Sequence, residues 1–283
     1  ALTVTGGGFN GGLVCSSSAN GSIQVVQAAT TTTVASNVNP STYGDTVTFT
    51  ATVASTPTVG NNGTVDFVID STTVCAAVAV NAGQATCQTA ALTVPGSPHV
   101  VNANYLGATN FAPSSGTLSG GQTVDRATSS TVISCPASVQ YNGNAQEPCS
   151  AAVTGAGGLN TTVTVVYNNN VNVGTATADA TYGGDANHTG SSATQVTFNI
   201  TKAPSTVTVA ALTVEYDGDP HPTTAIVSGV GTGITQSVTW AYTGNCSTAP
   251  INVAETPCTA TATYAGDSNH DGSSDIKSIT ITK

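Results

Sequence analysis

The sequence predicts an all-β protein, and three observations support this fold class. Thr and Val dominate the segments between turns, and β-branched residues favour the pleated, half-buried surface of a strand. The chain contains 30 glycines and 12 prolines, as expected where many short strands require many turns. Residues that favour helices are scarce, with only four Lys and Arg in total.

The same composition argues against several classes of partner. Only 6% of the 283 residues are charged, and the net charge of −10 leaves no basic cluster for nucleic acid or for an anionic membrane surface. No apolar run is long enough to span a bilayer, so we predict no membrane insertion. The chain begins Ala-Leu-Thr and lacks Met, so we expect that a secretory leader once preceded it. We therefore predict a secreted, cell-surface or extracellular protein.

Six of the seven cysteines form close pairs along the sequence. A spacing of about a dozen residues, with one pair in each predicted domain, is typical of local disulfides in an exported protein and not of zinc ligands. Free buried thiols are the alternative. Cys15 is left over, so it is either free or available for an intermolecular bond. The predicted pairs are Cys75 with Cys87, Cys135 with Cys149, and Cys246 with Cys258.

Internal repeats divide the chain into domains. The segment TATADATYGGDANHTGSS (175–192) matches TATATYAGDSNHDGSS (259–274), and both copies end in similar phrases, NITK and TITK. The first domain carries the same landmark more loosely, as NANYLGATNFAPSSG (102–116). We predict domains at 29–125, 126–202 and 203–283, preceded by an extended N-terminal segment, 1–28.

Each predicted domain has the pattern of a β-sandwich. In the first domain, TVDFVI (64–69) and QATCQT (84–89) alternate apolar and polar residues, and turn signals such as NNG and NAG separate the strands. Short alternating strands about every ten residues are typical of an immunoglobulin-like fold. The sequence therefore predicts three tandem immunoglobulin-like β-sandwich domains.

The repeats also resemble a known family. The phrases YGDTVTFTATV (43–53) and NYLGATNFAPSS (104–115) resemble the bacterial Ig-like repeats that occur in tandem in surface proteins. The second and third domains resemble the related repeats of long bacterial adhesins, through their Y-x-G-D-x-N-H-x-G-S stretch. The resemblance covers about 29–283 and implies extracellular spacers, stalks or adhesive arrays. It implies no catalytic residue, so we expect no enzyme and no cofactor.

The N-terminal segment, 1–28, matches no repeat and is rich in Gly and Ser. It carries short alternating apolar stretches, and exposed sheet edges are natural docking sites for such strands. We predict that this segment adds β-structure to a neighbouring copy of the chain; the alternative is that it folds back on its own first domain. The predicted assembly residues are Leu2, Val4, Ile23, Val25 and Val26.

The sharpest candidate for a ligand site is an acidic loop in the third domain. Asp267, Asn269, Asp271 and Asp275 place side-chain oxygens close together around a Gly, as in the first half of a calcium loop. Position twelve of such a loop would be Ser278 instead of the usual Glu. Asp and Asn also cap and bend loops by bonding to the backbone, and we favour that role over calcium.

These observations favour a structural function. The leading hypothesis is a subunit of an extracellular filament or pilus-like surface appendage, assembled head-to-tail, whose partners are other copies of the chain. The alternative is a spacer or ligand-binding region of a large bacterial surface adhesin, with a surface glycan or host protein as its partner. An accessory region of a secreted enzyme would require a catalytic domain elsewhere.

Overall fold

The structure is a computed structural model that describes residues 13–17 and 23–283, with side chains from Val26 onward. Among these residues it contains strands and two short 3₁₀ helices but no α-helix, which confirms the all-β prediction. None of the described helices is long or apolar enough to cross a membrane.

The strands are short and follow one another closely along the chain. In the first half of the chain they are β1 (Leu13–Ser17), β2 (Ile23–Gln27), β3 (Thr30–Ser36), β4 (Ser41–Thr42), β5 (Val47–Ser55), β6 (Thr64–Ile69), β7 (Thr72–Ala79), β8 (Gln84–Thr89), β9 (Val101–Tyr105), β10 (Ser114–Thr117) and β11 (Val124–Asp125). In the second half they are β12 (Ser129–Ser134), β13 (Ser138–Gln140), β14 (Ser150–Gly155), β15 (Leu159–Val163), β16 (Val165–Asn168), β17 (Gly174–Tyr182), β18 (Ser191–Ser192), β19 (Val196–Thr201), β20 (Ser205–Val209), β21 (Leu212–Glu215), β22 (Ala225–Gly229), β23 (Thr239–Gly244), β24 (Cys258–Tyr264) and β25 (Ser273–Thr282). The 3₁₀ helices are Ala156–Gly158 and Val253–Glu255.

The chain divides into two compact units. Of the described residues, the first unit comprises 13–17, 23–130, 154–160 and 183–191. Its sheets are β3-β5-β8, β10-β9-β6-β7 and the parallel pair β11-β4. In β5, Phe49 and Ala51 are fully buried while the intervening Thr side chains are more exposed, which is the alternation that a half-buried strand requires. Phe49, Phe67 and Tyr105, which come from strands of both larger sheets, lie in one core.

The N-terminal strands form a small sheet of their own. β1 pairs with β2 in the antiparallel sense, and the register places Cys15 opposite Val25. No other described strand pairs with either of them. The chain joins the first sandwich one residue later, where Ala28 donates to the Asn110 carbonyl and accepts from the Ala112 amide, each at 2.9 Å.

The second unit comprises residues 131–153, 161–182 and 192–283. Its sheets are β13-β19-β17-β16, β20-β22, β21-β25-β24-β23 and the greater part of β12-β14-β15. One of its cores contains Tyr141, Phe198 and Ile200, and another contains Val207 and Tyr264. The domain limits predicted from the repeats stay predictions.

Candidate functional site

The loop that follows β17 is organised around a buried histidine, His188. Its Nδ1 atom lies 2.9 Å from the carboxylate of Asp185, and its Nε2 atom lies 2.9 Å from the carbonyl oxygen of Ala156. The same carboxylate accepts the backbone N–H groups of Asn187 and His188, each at 2.7 Å. Asp185 therefore fixes both the loop backbone and the imidazole ring.

Residues of the predicted first domain contact this loop within the first unit. The ring of Tyr43 packs edge-on against the ring of His188, with 5.2 Å between centroids and an interplanar angle of 85°. The backbone N–H of Val94 donates to Oδ1 of Asn187 at 3.0 Å. Gly44 approaches so closely that a Cβ there would lie 2.9 Å from the Cβ of Ala156. We call this set of contacts the first joint.

The same contacts recur around His270 within the second unit. Its Nδ1 atom lies 2.9 Å from the carboxylate of Asp267, and Nε2 lies 2.8 Å from the carbonyl oxygen of Val230. The ring of Tyr141 packs edge-on against it, with 5.5 Å between centroids and an angle of 86°. We call this set the second joint.

An asparagine side-chain oxygen and a closely packed glycine complete the second joint, as they do the first. The N–H of Val173 donates to Oδ1 of Asn269 at 3.1 Å. A Cβ on Gly143 would lie 2.4 Å from the Cα of Gly231, so the two backbones are in direct contact. The second joint thus repeats each element of the first: an Asp-held histidine, an edge-on tyrosine, an asparagine amide and a close-packed glycine.

A linker alanine crosses each joint with the same backbone hydrogen bonds. Ala127 donates to the Asn187 carbonyl at 2.9 Å and accepts from the amide of Thr189 at 2.8 Å. Ala203 donates to the Asn269 carbonyl and accepts from the following Asp271 amide at the same two distances. Because two parallel-bridge bonds hold each linker to the histidine loop, the linkers are fixed to that loop and are not free tethers.

The hydrogen-bond acceptors around His188 favour its protonated form. Burial lowers the pKa of His188, but the hydrogen bonds to the Ala156 carbonyl and the Asp185 carboxylate outweigh this and raise it above the ordinary value. Both ring nitrogens face an acceptor, and only the protonated imidazole can donate from both.

Asp267 is the corresponding carboxylate of the second joint. Burial raises the pKa of Asp267, but the hydrogen bonds that it accepts from Tyr264, Asn269 and His270 outweigh burial and lower it to about 2. The Tyr264 hydroxyl donates at 2.7 Å, as do the backbone N–H groups of Asn269 and His270. Asp267 is therefore ionised and fully used in holding the loop.

The four candidate calcium residues have separate partners in the structure. Asp267 holds His270, Asn269 holds the Val173 amide, Asp271 is exposed, and Asp275 accepts the Val209 N–H at 2.9 Å. Asp275 also lies 3.6 Å from the Lys277 ammonium. In the part of the chain that the structure describes, no three His, Cys, Asp or Glu residues cluster as metal ligands would. The loop-capping role accounts for Asp267, whereas the Asn269 side chain bonds across the joint, and calcium stays an untested prediction.

The three predicted disulfides are present. They join Cys75 to Cys87, Cys135 to Cys149, and Cys246 to Cys258. The first disulfide links β7 to β8 and so connects the two larger sheets of the first unit. Each bond ties together chain segments that are close in sequence, as the spacing predicts.

The predicted assembly residues are only partly described. Ile23 and Val25 lie in β2, and Val26 beside them is 47% exposed. Cys15 lies in β1, but its side chain is outside the described part, so the fate of its thiol stays a prediction. Leu2 and Val4 lie outside the described residues.

Sequence reasoning located the two histidine loops but not the tyrosines that contact them. The available signal was the match of QYNGN (140–144) to EYDGD (215–219), which marks a Tyr-x-Gly turn in both later domains. Nothing in the repeat comparison says that this turn contacts the histidine of the next module, because those residues are far apart in sequence.

Comparison with known proteins finds one family model that matches part of the chain. Residues 32–125 match the family model of the bacterial Ig-like domain (group 3). Among solved structures, the chain is similar to the three N-terminal domains of the bacteriophage RB49 Highly Immunogenic Outer Capsid protein (Hoc), with 16% identity over 90% of this chain and 100% of that one, and a TM-score of 0.28. No curated protein matches the chain. The family match confirms the resemblance over 32–125 and, with the sheets described above, the predicted class of tandem immunoglobulin-like β-sandwiches.

Proposed function

We propose that the chain is a structural, non-catalytic element of an extracellular filament or bacterial surface appendage, in which the two joints hold consecutive modules in fixed contact. The observation that carries this proposal is the recurrence of one contact set at both joints. A protein that only needed its modules tethered would not require a buried histidine, an aromatic pair and a close backbone approach at each junction. The repetition favours stiffness as the property that the sequence maintains.

The energies of the contacts at the joints support a mechanical role. An aromatic pair contributes about 0.5–1.5 kcal/mol beyond its buried area, and a hydrogen bond involving a charged group contributes about 1.5–3 kcal/mol. Each joint combines both kinds of contact with a backbone bridge through its linker alanine. The disulfides add about 2–4 kcal/mol each and limit how far a strained module unravels.

We further propose that the N-terminal segment joins copies of the chain by adding β-structure to a neighbour. An isolated two-stranded hairpin is marginally stable in water, and its unpaired edges can accept further strands. The β1–β2 pair has this form, and Val26 within β2 exposes 47% of its surface. Pairing with a second copy of the chain would add further strands to this hairpin and cover the Val26 side chain.

Deletion of residues 1–27 tests this assembly mode. Ala28 is retained because its backbone bonds belong to the first sandwich. Electron microscopy and sedimentation velocity of the full chain should show filaments or higher oligomers, and the deleted chain should sediment as a monomer. Cys15→Ser is the matched control, because it leaves the strand in place and separates thiol chemistry from strand addition. Assembly that persists after the deletion would contradict strand addition by this segment.

A spacer region of a larger surface adhesin is the second candidate, with a surface glycan or host protein bound elsewhere. It is favoured by the observation that each joint is complete within one chain and needs no second molecule. A monodisperse monomer under all conditions, with intact joints, would favour the spacer over the filament subunit.

A further inference from the structure

The third predicted domain repeats the backbone setting of the two joint tyrosines. In each domain a short strand pairs in parallel with the last strand, and the tyrosine that follows it donates its N–H to that last strand. The pairs of strands are β4–β11, β13–β19 and β21–β25. The bonds are Tyr43 to the Asp125 carbonyl at 2.9 Å, Tyr141 to the Thr201 carbonyl at 2.9 Å, and Tyr216 to the Thr282 carbonyl at 3.0 Å. Tyr216 is therefore the structural equivalent of the two joint tyrosines.

A glycine with positive φ follows each tyrosine, directly after Tyr43 and two residues after Tyr141 and Tyr216, so the match is between the second and third domains. The φ angles are +92° at Gly44, +83° at Gly143 and +90° at Gly218. At the second joint a Cβ on Gly143 would collide with the backbone of Gly231. Among the described residues, a Cβ on Gly218 would come within 4 Å of one atom outside its chain neighbours, the hydroxyl oxygen of Tyr216, at 3.9 Å. The turn has the same conformation, but the space that a joint would fill is open.

The three tyrosines differ in how much of the side chain is exposed to solvent. Tyr141 is 5% exposed against His270, and Tyr43 is partly buried against His188. Tyr216 is 54% exposed, although its backbone is held in the same way. Because Tyr43 and Tyr141 are covered at the equivalent backbone position, the exposure of Tyr216 points to a surface that a partner can cover in the same way.

We propose that Tyr216 and Gly218 form a third, open half-joint that binds an immunoglobulin-like module carrying an Asp-x-Asn-His loop. The two filled joints indicate which loop should bind here, because Tyr43 and Tyr141 each pack on a histidine that is held by the Asp three residues before it. The module must also place a glycine against the ring: a Cβ on Gly155, at the end of β14, or on Gly229, at the end of β22, would lie only 3.1 or 3.0 Å from the imidazole. The partner is thus a further module of the type seen at 203–283.

The basic residue at the module end supports the same occupant. Lys202 precedes the linker Ala203 and donates its ammonium N–H to the backbone carbonyl of Asp267 in the loop that it meets. Lys283 follows Thr282 as Lys202 follows Thr201, so the third half-joint has a cation at the corresponding sequence position. The first domain's own loop fits this chemistry less well, because Phe111 and Ala108 stand where His and Asp stand in the other two.

This inference rests on the proposed structural function only for its premise that modules act in tandem. The test is the full chain extended after Lys283 by a second copy of residues 203–283, so that Lys283 occupies the place of Lys202. The added copy carries Tyr→Phe at the position that corresponds to Tyr216, so that only the original chain gives a tyrosine-containing peptide there. Nitration of tyrosines, read by peptide mass spectrometry, reports whether Tyr216 is covered. We expect Tyr216 to be reactive in the unextended chain and protected at least several-fold in the extended one, to the level of Tyr141.

The matched control is the extended chain with His→Ala at the position of the added copy that corresponds to His270. This variant should leave Tyr216 reactive while Tyr141 stays protected, because the original second joint is untouched. Equal reactivity of Tyr216 in the chain with and without the extension would overturn the proposal. Protection in the unextended chain that is lost on dilution would also overturn it, since it would assign the half-joint to a second copy. Deletion of residues 1–27 should not change the nitration of Tyr216 in either the extended or the unextended chain. A negative result in this test is therefore distinct from a negative result in the test of filament assembly.

Discussion

The ring of Tyr141 packs edge-on against the buried ring of His270, and Tyr43 packs against His188 in the same way. In both pairs the histidine belongs to the loop that receives the linker alanine, and the tyrosine belongs to the module that the linker leaves. The stiffness proposed for this chain depends on these two pairs and on the bonds that hold the histidines in place.

His270→Ala should uncouple the second joint. The substitution leaves the Val230 carbonyl and the Asp267 carboxylate without their ring partner and removes the aromatic contact with Tyr141. We expect a loss of about 1–3 kcal/mol, seen by calorimetry as a lower and broader unfolding transition of the second unit. His270→Phe, which imitates Phe111 of the first domain, should retain the packing and lose less.

Gly143→Ala should open the second joint by steric clash. A Cβ at this position would lie 2.4 Å from the Cα of Gly231, so the two backbones must separate. The matched control is Gly218→Ala, which introduces the same strain at φ +90° but meets almost nothing. Any loss of stability in Gly143→Ala beyond that of Gly218→Ala measures the close approach, and equal losses would show that the approach contributes nothing.

The first joint should weaken as pH rises. The folded pKa of His188 is raised above 6.5, so its contribution is fully present below that value and is lost as the pH rises through the folded pKa. The groups facing the ring are Asp185, the Ala156 carbonyl and Tyr43. Urea unfolding of the first unit at about pH 6 and about pH 8 should show this difference, and His188→Phe should abolish it. If His188→Phe keeps the same difference in stability between the two pH values, the pH dependence does not come from His188.

Asp267→Asn should destabilise the histidine loop of the second unit by about 1.5–3 kcal/mol near neutral pH, because the carboxylate accepts bonds from Tyr264, Asn269 and His270. Since the pKa of Asp267 is lowered to about 2, its contribution is present above 3.8 and is lost as the pH falls through about 2. Asp271→Asn is the control, since it makes the same charge change at an exposed position of the same loop. Equal effects of the two substitutions would contradict the role assigned to Asp267.

Chelation of calcium should not change the unfolding temperature of the chain. Asp267 and Asn269 are used within the loop and at the joint, and Asp275 is bonded to the Val209 amide. A stabilisation by calcium that Asp271→Asn or Asp275→Asn removes would instead establish the calcium site considered from the sequence.

The parts of this structure that depend on local pattern were predictable. The alternation in 64–69 and 84–89 corresponds to β6 and β8, and the spacing of the cysteines gave the three disulfides. The repeat comparison also aligned His188 with His270 and favoured a loop role for Asp267, because an Asp before a turn bonds to the backbone two or three residues later.

The joints could not be predicted because they depend on pairing between distant strands. Tyr43 reaches His188 only because β4 pairs in parallel with β11, which brings the tyrosine next to the linker. Similarly, nothing near Val94 in the sequence marks its N–H as the donor to Asn187. The equivalence of Tyr216 to Tyr43 and Tyr141 likewise depends on the parallel pairing of β21 with β25, which the sequence does not reveal.

Amide hydrogen exchange at Val94 and Val173 tests the central claim most directly. These two N–H groups belong to loops of one module and are bonded only to the asparagine side chains of the next, Asn187 and Asn269, among the hydrogen bonds of the described residues. If the joints hold modules in fixed contact, both amides should be protected in the full chain. His188→Ala should release Val94 and leave Val173 protected, and His270→Ala should do the reverse. Exchange at both amides as fast as in an exposed loop of the unaltered chain would contradict the account.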